Sequence, residues 1–188
     1  MQEIFAEVKS RMSEKRFDHT LRTADYARTL ALRFGEDADA AYLAGLLHDC
    51  TKEWSYDTQL NFLSQRGIMI DSLQKLVPQL LHARSGAILA KETFGASDAV
   101  CSAIRWHTTG HAGMNRLDMI LWLSDLIEPG RTFPGVEKLR AIAEVDLEKA
   151  VLAGMEHSLA YLEEKNQRID VEMVNARNWL LSRERKKL

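Results

Sequence analysis

Cysteine is scarce in this chain: Cys50 and Cys101 are the only two in 188 residues, and they form no Cys-x-x-Cys pair. Their number and separation suggest neither a disulfide framework nor a zinc ribbon. Cys50, beside Asp49, reads as packed rather than reactive. Proline occurs three times, which together with abundant Ala and Leu favours helix. Charge of one sign is lacking too. The balance of 25 basic and 27 acidic residues leaves −2, no footprint for DNA or RNA. The basic run Arg183-Glu-Arg-Lys-Lys187 suits a solvated helix end. No stretch approaches the ~20 apolar residues that span a bilayer, and the acid-bearing N-terminus does not read as a signal peptide. A soluble, cytoplasmic protein with no nucleic-acid or membrane partner is expected. There is no Walker-type glycine loop, which argues against a P-loop ATPase, and no evident Ser-His-Asp or Cys-His set. Repeats and low-complexity tracts are missing as well.

What is present is a helical pattern. Apolar residues make up 46% of the chain, enough for one domain over residues 1–188 with a real core. Leu21, Ala24, Ala27, Ala31 and Phe34 recur at three- and four-residue steps, predicting a helix from Phe17 to Phe34 that Gly35 closes. A second runs from about Asp37 to His48, and a third from Ser55 to Gly67. A short helix or turn is expected over Asp71–Val77, then helices over Leu81–Phe94 and from a Ser97 cap through His107. Thr108–Gly113 reads as a loop. Asn115 caps a helix that stops before Pro129-Gly130. Pro134 opens a shorter helix, Asp146 caps a long one striped with Leu147, Val151, Gly154, Ser158, Leu159 and Leu162, and the last spans Asp170 to about Arg185. Ile68-Met-Ile70 is too short to argue for a strand. The fold class is all-α.

The chemistry centres on His48-Asp49, at the end of an apolar stretch. The doublet offers an imidazole nitrogen and a hard carboxylate oxygen from adjacent residues. Two further groups would complete a site for a divalent metal, and His19 and Asp125 are candidates. Adjacent helical residues point about 100° apart, but a fraying helix end can aim both at one ion. Mixed nitrogen and oxygen ligands fit iron or manganese best, with zinc next.

The order His19, His48-Asp49, Asp125 resembles that of the HD-domain metal-dependent phosphohydrolases. His82-Ala-Arg-Ser-Gly86, Ile104-Arg-Trp-His-Thr-Thr-Gly110 and Asp125-Leu-Ile-Glu-Pro-Gly-Arg131 extend the resemblance to one subfamily, the bacterial YqeK-type symmetrical diadenosine tetraphosphate hydrolases. It runs from about Arg16 to about Trp179. The resemblance implies a single HD domain, with its core over about 16–135 and C-terminal helices over 136–188. It implies hydrolysis of a dinucleoside tetraphosphate to two ADP, and a homodimer. It also implies a phosphate contact for His82, where binuclear relatives would instead use His82 and His107 for a second ion bridged by Asp49. His107 faces metal or phosphate. Nucleoside contacts are implied near Arg168–Met173, where this chain lacks the prolines common in the family.

A polyphosphate needs cations and donors. Arg16, Lys52 and Arg131 each stand beside a candidate ligand, and arginine's planar fork suits phosphate. Thr108 and Thr109 add hydroxyl and backbone donors in a loop whose glycines permit close approach. The expected substrate-binding set is therefore Arg16, Lys52, His82, His107, Thr108, Thr109, Asp125 and Arg131, and the expected catalytic groups are Asp49, Lys52 and His82. Water activated at the metal would attack phosphorus in line. Arg16, Lys52 and Arg131 would stabilise the developing charge, and Asp49 or a nearby histidine would take the proton. His111 and His157 are not expected in the site. The alternatives left open are another HD nucleotidase or phosphodiesterase, and a nucleotide-binding regulator without turnover.

Overall fold

The computed structural model describes residues 2–70 and 77–185, and among them there are ten α-helices, one 3-10 turn and no strand. The helices are α1 Gln2–Ser10, α2 Glu14–Phe34, α3 Ala38–Leu47, α4 Tyr56–Ser64, α5 Leu81–Phe94, α6 Asp98–Trp106, α7 Arg116–Ile127, α8 Val136–Ala143, α9 Leu147–Glu164 and α10 Val171–Arg185. The 3-10 turn, Pro78–Leu80, leads into α5. The all-α class holds. The short element expected over Asp71–Val77 falls mainly on residues 71–76, which lie outside the described residues.

The caps are those expected. Ser55, Ser97, Asn115 and Asp146 each accept from a backbone N–H in the first turn that follows, satisfying donors that a helix start leaves orphaned. Asn115 and Asp118 form a reciprocal capping box. Gly35 ends α2 in the left-handed region, φ 66°. Boundaries shift where a better cap lies nearby. The second helix starts at Glu14 because Ser13, not Phe17, is its cap. The fourth stops at Ser64 rather than Gly67, and the eighth begins after Gly135 rather than at Pro134. Helix α1 was not anticipated. Val8 buries fully and Phe5 meets Phe17 edge-on at 4.9 Å between centroids.

Helix α7 runs through the middle, with Leu117 to Ser124 and Ile127 all buried. Around it pack α2, α3, α6 and α9. Helices α2 and α3 approach closely because Gly45 faces Ala24: a Cβ on Gly45 would sit 2.5 Å from the Ala24 Cα. That approach brings His19 on α2 and His48 at the end of α3 within 5.5 Å, ring centroid to centroid.

Candidate metal centre

Each candidate ligand is delivered by a helix end or face. Arg16, His19 and Arg22 recur every third residue of α2 and share one side of it. His48 is the C-cap of α3. Beyond it the chain winds in tight turns, with Cys50 N donating to Leu47 O and Lys52 N to Asp49 O. These turns swing Asp49 onto the same side as His48. Thr51 locks them to α5, its hydroxyl donating to His82 O at 3.0 Å. His82 lies in the first turn of α5, His107 is the C-cap of α6, and Asp125 sits in the last turn of α7.

These side chains converge. His19 Nε2 lies 3.0 Å from Asp125 Oδ1 and 3.9 Å from Asp49 Oδ2. His48 Nε2 lies 3.4 Å from Asp49 Oδ2 and 3.9 Å from Asp125 Oδ1. The other Asp49 oxygen, Oδ1, faces His82 Nε2 at 3.2 Å and His107 Nε2 at 3.7 Å. Two groups of side chains, His19 with His48 and Asp125, and His48 with Asp49 and His107, hold potential ligand atoms within 4.8 Å of one another.

The tautomers explain why a cation fits. Nδ1 of His48 lies 2.7 Å from Gly45 O, Nδ1 of His107 2.7 Å from Ile104 O, and Nδ1 of His82 2.5 Å from Gln79 O. A carbonyl only accepts, so Nδ1 carries the proton and Nε2 presents a lone pair. His19 Nδ1 does the same toward Glu128 Oε1 at 3.1 Å. Among the described residues, the buried Nε2 atoms of His19 and His48 have no hydrogen-bond partner, though both look at carboxylates. Lone pair facing lone pair is repulsive, and a cation between them removes the conflict. Titration tendencies agree. Burial opposes charge on Asp49, yet His48, His107 and His82 hold it well below the usual carboxylate range. Burial also opposes charge on Asp125, but His19 and His48 pull it down as well. For His48, burial disfavours the imidazolium, but Asp49 and Asp125 outweigh it and raise its pKa.

Cations ring the cluster. Arg16 Nη1 donates to Asp49 Oδ2 at 2.9 Å, and Arg131 Nη2 to Asp125 Oδ1 at 2.8 Å. Lys52 Nζ lies 3.2 Å from His82 Nε2. Burial lowers the Lys52 pKa. Burial also lowers His82 to about 4, with help from His107 and Lys52, so its ring is neutral near pH 7.

Beside the cluster opens a cavity of about 320 Å³. Lys52, His107, Thr108, Asp125 and Arg131 line its polar part, and Leu80, Trp122, Leu126, Phe133 and Met173 its apolar part. Thr109 is placed differently from Thr108. Its hydroxyl donates to Gly110 O, and it lines a smaller neighbouring cavity with Asp170, Val171 and Glu172. His111 pairs with Asp118 at 3.2 Å and His157 stacks on Phe133 at 4.8 Å, both away from the cluster. Burial pushes the Cys50 thiol up to about 12, as suits a packed residue.

Sequence reasoning missed Glu128, Arg22 and Arg140. Glu128 holds His19 and accepts from Arg22 Nε at 2.7 Å. Arg140 donates to the carbonyls of Ile127, Glu128 and Arg131, fixing the turn that carries Arg131. The spacing of Arg22 three residues after His19 was a readable signal. Arg140 left little, since apart from Glu137, three residues before it, its partners are main-chain atoms.

The HD domain family model matches residues 16–181; the chain belongs to the HD domain family. Two curated relatives carry the name symmetrical bis(5'-nucleosyl)-tetraphosphatase. The one from Bacillus subtilis is 35% identical, with 96% of this chain and 97% of that protein covered. The one from Halalkalibacterium halodurans is 36% identical, with 93% of each covered. A crystal structure from Clostridium acetobutylicum, described as a "predicted HD superfamily hydrolase involved in NAD metabolism", superposes with a TM-score of 0.93 at 35% identity, covering 97% of both chains.

Proposed function

We propose that this chain is a symmetrical bis(5'-nucleosyl)-tetraphosphatase that cleaves diadenosine tetraphosphate with water to two ADP. The observation that carries the reading is the buried His19, His48, Asp49 and Asp125 cluster, ringed by Arg16, Lys52 and Arg131 and opening on a cavity with an apolar floor. Relatives of that name covering nearly the whole chain support it. The whole of residues 1–188 then acts as one HD domain, with its core over about 16–135.

His19, His48, Asp49 and Asp125 would hold a divalent cation, iron first on donor chemistry, then manganese or zinc. When bound, such a cation supplies Lewis-acid activation of water and of a phosphoryl oxygen. The chain's own groups do the rest. Lys52, Arg16 and Arg131 offset charge as it gathers on the phosphoryl oxygens. Thr108 lies beside them at the cavity wall. Neutral His82 presents Nε2 as an acceptor next to Asp49, so either can take the water's proton. His107 turns its Nε2 lone pair toward Asp49, which suits a cation, while Trp122, Phe133 and Met173 offer the adenine an apolar bed. A homodimer rests on the family resemblance, and a cytoplasmic location on the sequence expectation of no signal peptide and no spanning stretch. Among the described residues no helix is long and apolar enough to cross a membrane.

A second reading concerns the number of ions. Asp49 turns one oxygen to His19 and His48 and the other to His82 and His107, the arrangement of a carboxylate bridging two ions. The Lys52 ammonium, 3.2 Å from His82 Nε2, already places positive charge there and would repel a second dication. One ion, with His82 reaching the phosphate through the Lys52 ammonium that it accepts from, is the reading preferred. The test of function is product analysis: diadenosine tetraphosphate should give ADP alone, whereas release of orthophosphate would assign the chain to another HD nucleotidase.

A further inference from the structure

A chain of buried polar side chains links α4 and α5 to the turn that carries Asp49 and Lys52. Gln59 of α4 donates through Nε2 to Trp54 O at 3.1 Å, which turns its Oε1 toward Ser85 Oγ at 3.4 Å. Ser85 Oγ lies 2.8 Å from Thr51 Oγ1, and the Thr51 hydroxyl donates to His82 O at 3.0 Å. Thr51 and Ser85 are fully buried, and Gln59 nearly so. Polar groups so deep cost free energy unless they are paired, and all three are.

The two hydroxyls bring two protons. With the Thr51 proton on His82 O, the shortest remaining contact takes the Ser85 proton, and the donors line up from Ser85 through Thr51 to His82. Bonds aligned in this way polarise and strengthen one another. Gly86 makes the close approach possible: a Cβ there would sit 3.3 Å from His48 O and 3.5 Å from Thr51 Oγ1.

This chain holds a pair of groups beside the metal centre. Thr51 directly precedes Lys52, and its hydroxyl grips the main chain of His82. Lys52 Nζ and His82 Nε2 meet at 3.2 Å, and the same Nε2 stands 3.2 Å from Asp49 Oδ1. Lys52 and His82 come from segments 30 positions apart. Thr51 and Ser85 give those segments a tie that involves neither reacting side chain. Thr51, Ser85 and Gln59 do not line the cavity beside the cluster, so their effect on a substrate passes through Lys52 and His82.

We propose, on the tetraphosphatase reading, that Thr51 and Ser85 are positioning residues that set the register of Lys52 against His82. Misplacing a reacting group by a fraction of an ångström slows the chemical step more than it weakens ground-state binding. The loss on breaking the tie therefore falls on kcat.

The experiment measures kcat, KM and metal content with diadenosine tetraphosphate and the metal-loaded protein. Thr51→Val keeps the branched shape and removes the hydroxyl. It should lower kcat about tenfold, leave KM within about threefold and keep the metal stoichiometry. Thr51→Ser restores the hydroxyl and should return kcat to within about threefold of the unaltered protein. Ser85→Ala should lower kcat in the same direction by less, and it replaces Thr51→Val in every comparison if that protein does not fold. The decisive arm adds Thr51→Val to the His82→Ala protein, where no register remains to be set. The further loss there should be under about twofold. A full tenfold loss in that background would overturn the proposal, since Thr51 would then act on something other than His82. An unaltered kcat in Thr51→Val or Ser85→Ala would overturn it too, as would a loss of metal in step with kcat. If the unaltered protein makes no ADP, the tetraphosphatase reading itself fails, an outcome distinct from a loss confined to the variants.

Discussion

Glu128 accepts a hydrogen bond from Nδ1 of His19 at 3.1 Å, across 109 positions of chain. The contact fixes which His19 nitrogen carries the proton and leaves Nε2 free for a cation. Glu128 is itself buried and held by Arg22 and by the Gly130 N–H. Glu128→Gln keeps the shape but removes the charge that enforces the tautomer. Metal affinity is predicted to fall by about 10- to 100-fold, read by competition with a chromophoric chelator, while helical circular dichroism stays unchanged. Unaltered affinity would show that Glu128 does not orient a ligand.

His82 separates one ion from two. The His82→Ala protein should keep one metal per chain, the same as the unaltered protein, and lose most of its turnover. Metal content by elemental analysis decides: a fall from two ions to one would make His82 a ligand.

Arg140 tests the support of Arg131. Its guanidinium donates to three carbonyls across the turn after α7. Arg140→Ala leaves them without this donor and should cost about 1–3 kcal/mol in urea denaturation. KM for the tetraphosphate should rise as Arg131 loosens. A variant with unchanged KM would mean the turn holds itself.

Gly45 tests how the helices bring the histidines together. A methyl group there meets the Ala24 backbone, which cannot move aside as a side chain could. Gly45→Ala is predicted to destabilise by about 1–3 kcal/mol, seen as a lower urea midpoint, and to weaken metal binding by spreading α2 from α3. A midpoint at or above that of the unaltered protein would contradict this packing account.

Much of this was legible in the chain itself, for identifiable reasons. Helix starts are written locally, in Ser55, Ser97, Asn115 and Asp146, so caps and class could be read without knowing any tertiary contact. The candidate cluster was legible because His48-Asp49 and Asp125 combine rare residue types in a recognisable order. What escaped depends on long-range geometry. Helix α1 carries only Ile4, Phe5, Ala6 and Val8 as an apolar signal, too short a pattern to set against the noise. Glu128 looks like a loop acid until α2 lays His19 over it. Thr109 looks equivalent to Thr108, yet the turn at Gly110, with φ 66°, takes its hydroxyl onto the Gly110 carbonyl.

The most direct test combines metal content with product analysis for the unaltered protein and Asp49→Ala. The unaltered protein should carry a divalent metal and convert diadenosine tetraphosphate to ADP as sole product. Asp49→Ala should remain helical and lose both metal and turnover. An Asp49→Ala protein that keeps its metal and still makes ADP would contradict the assignment of the centre.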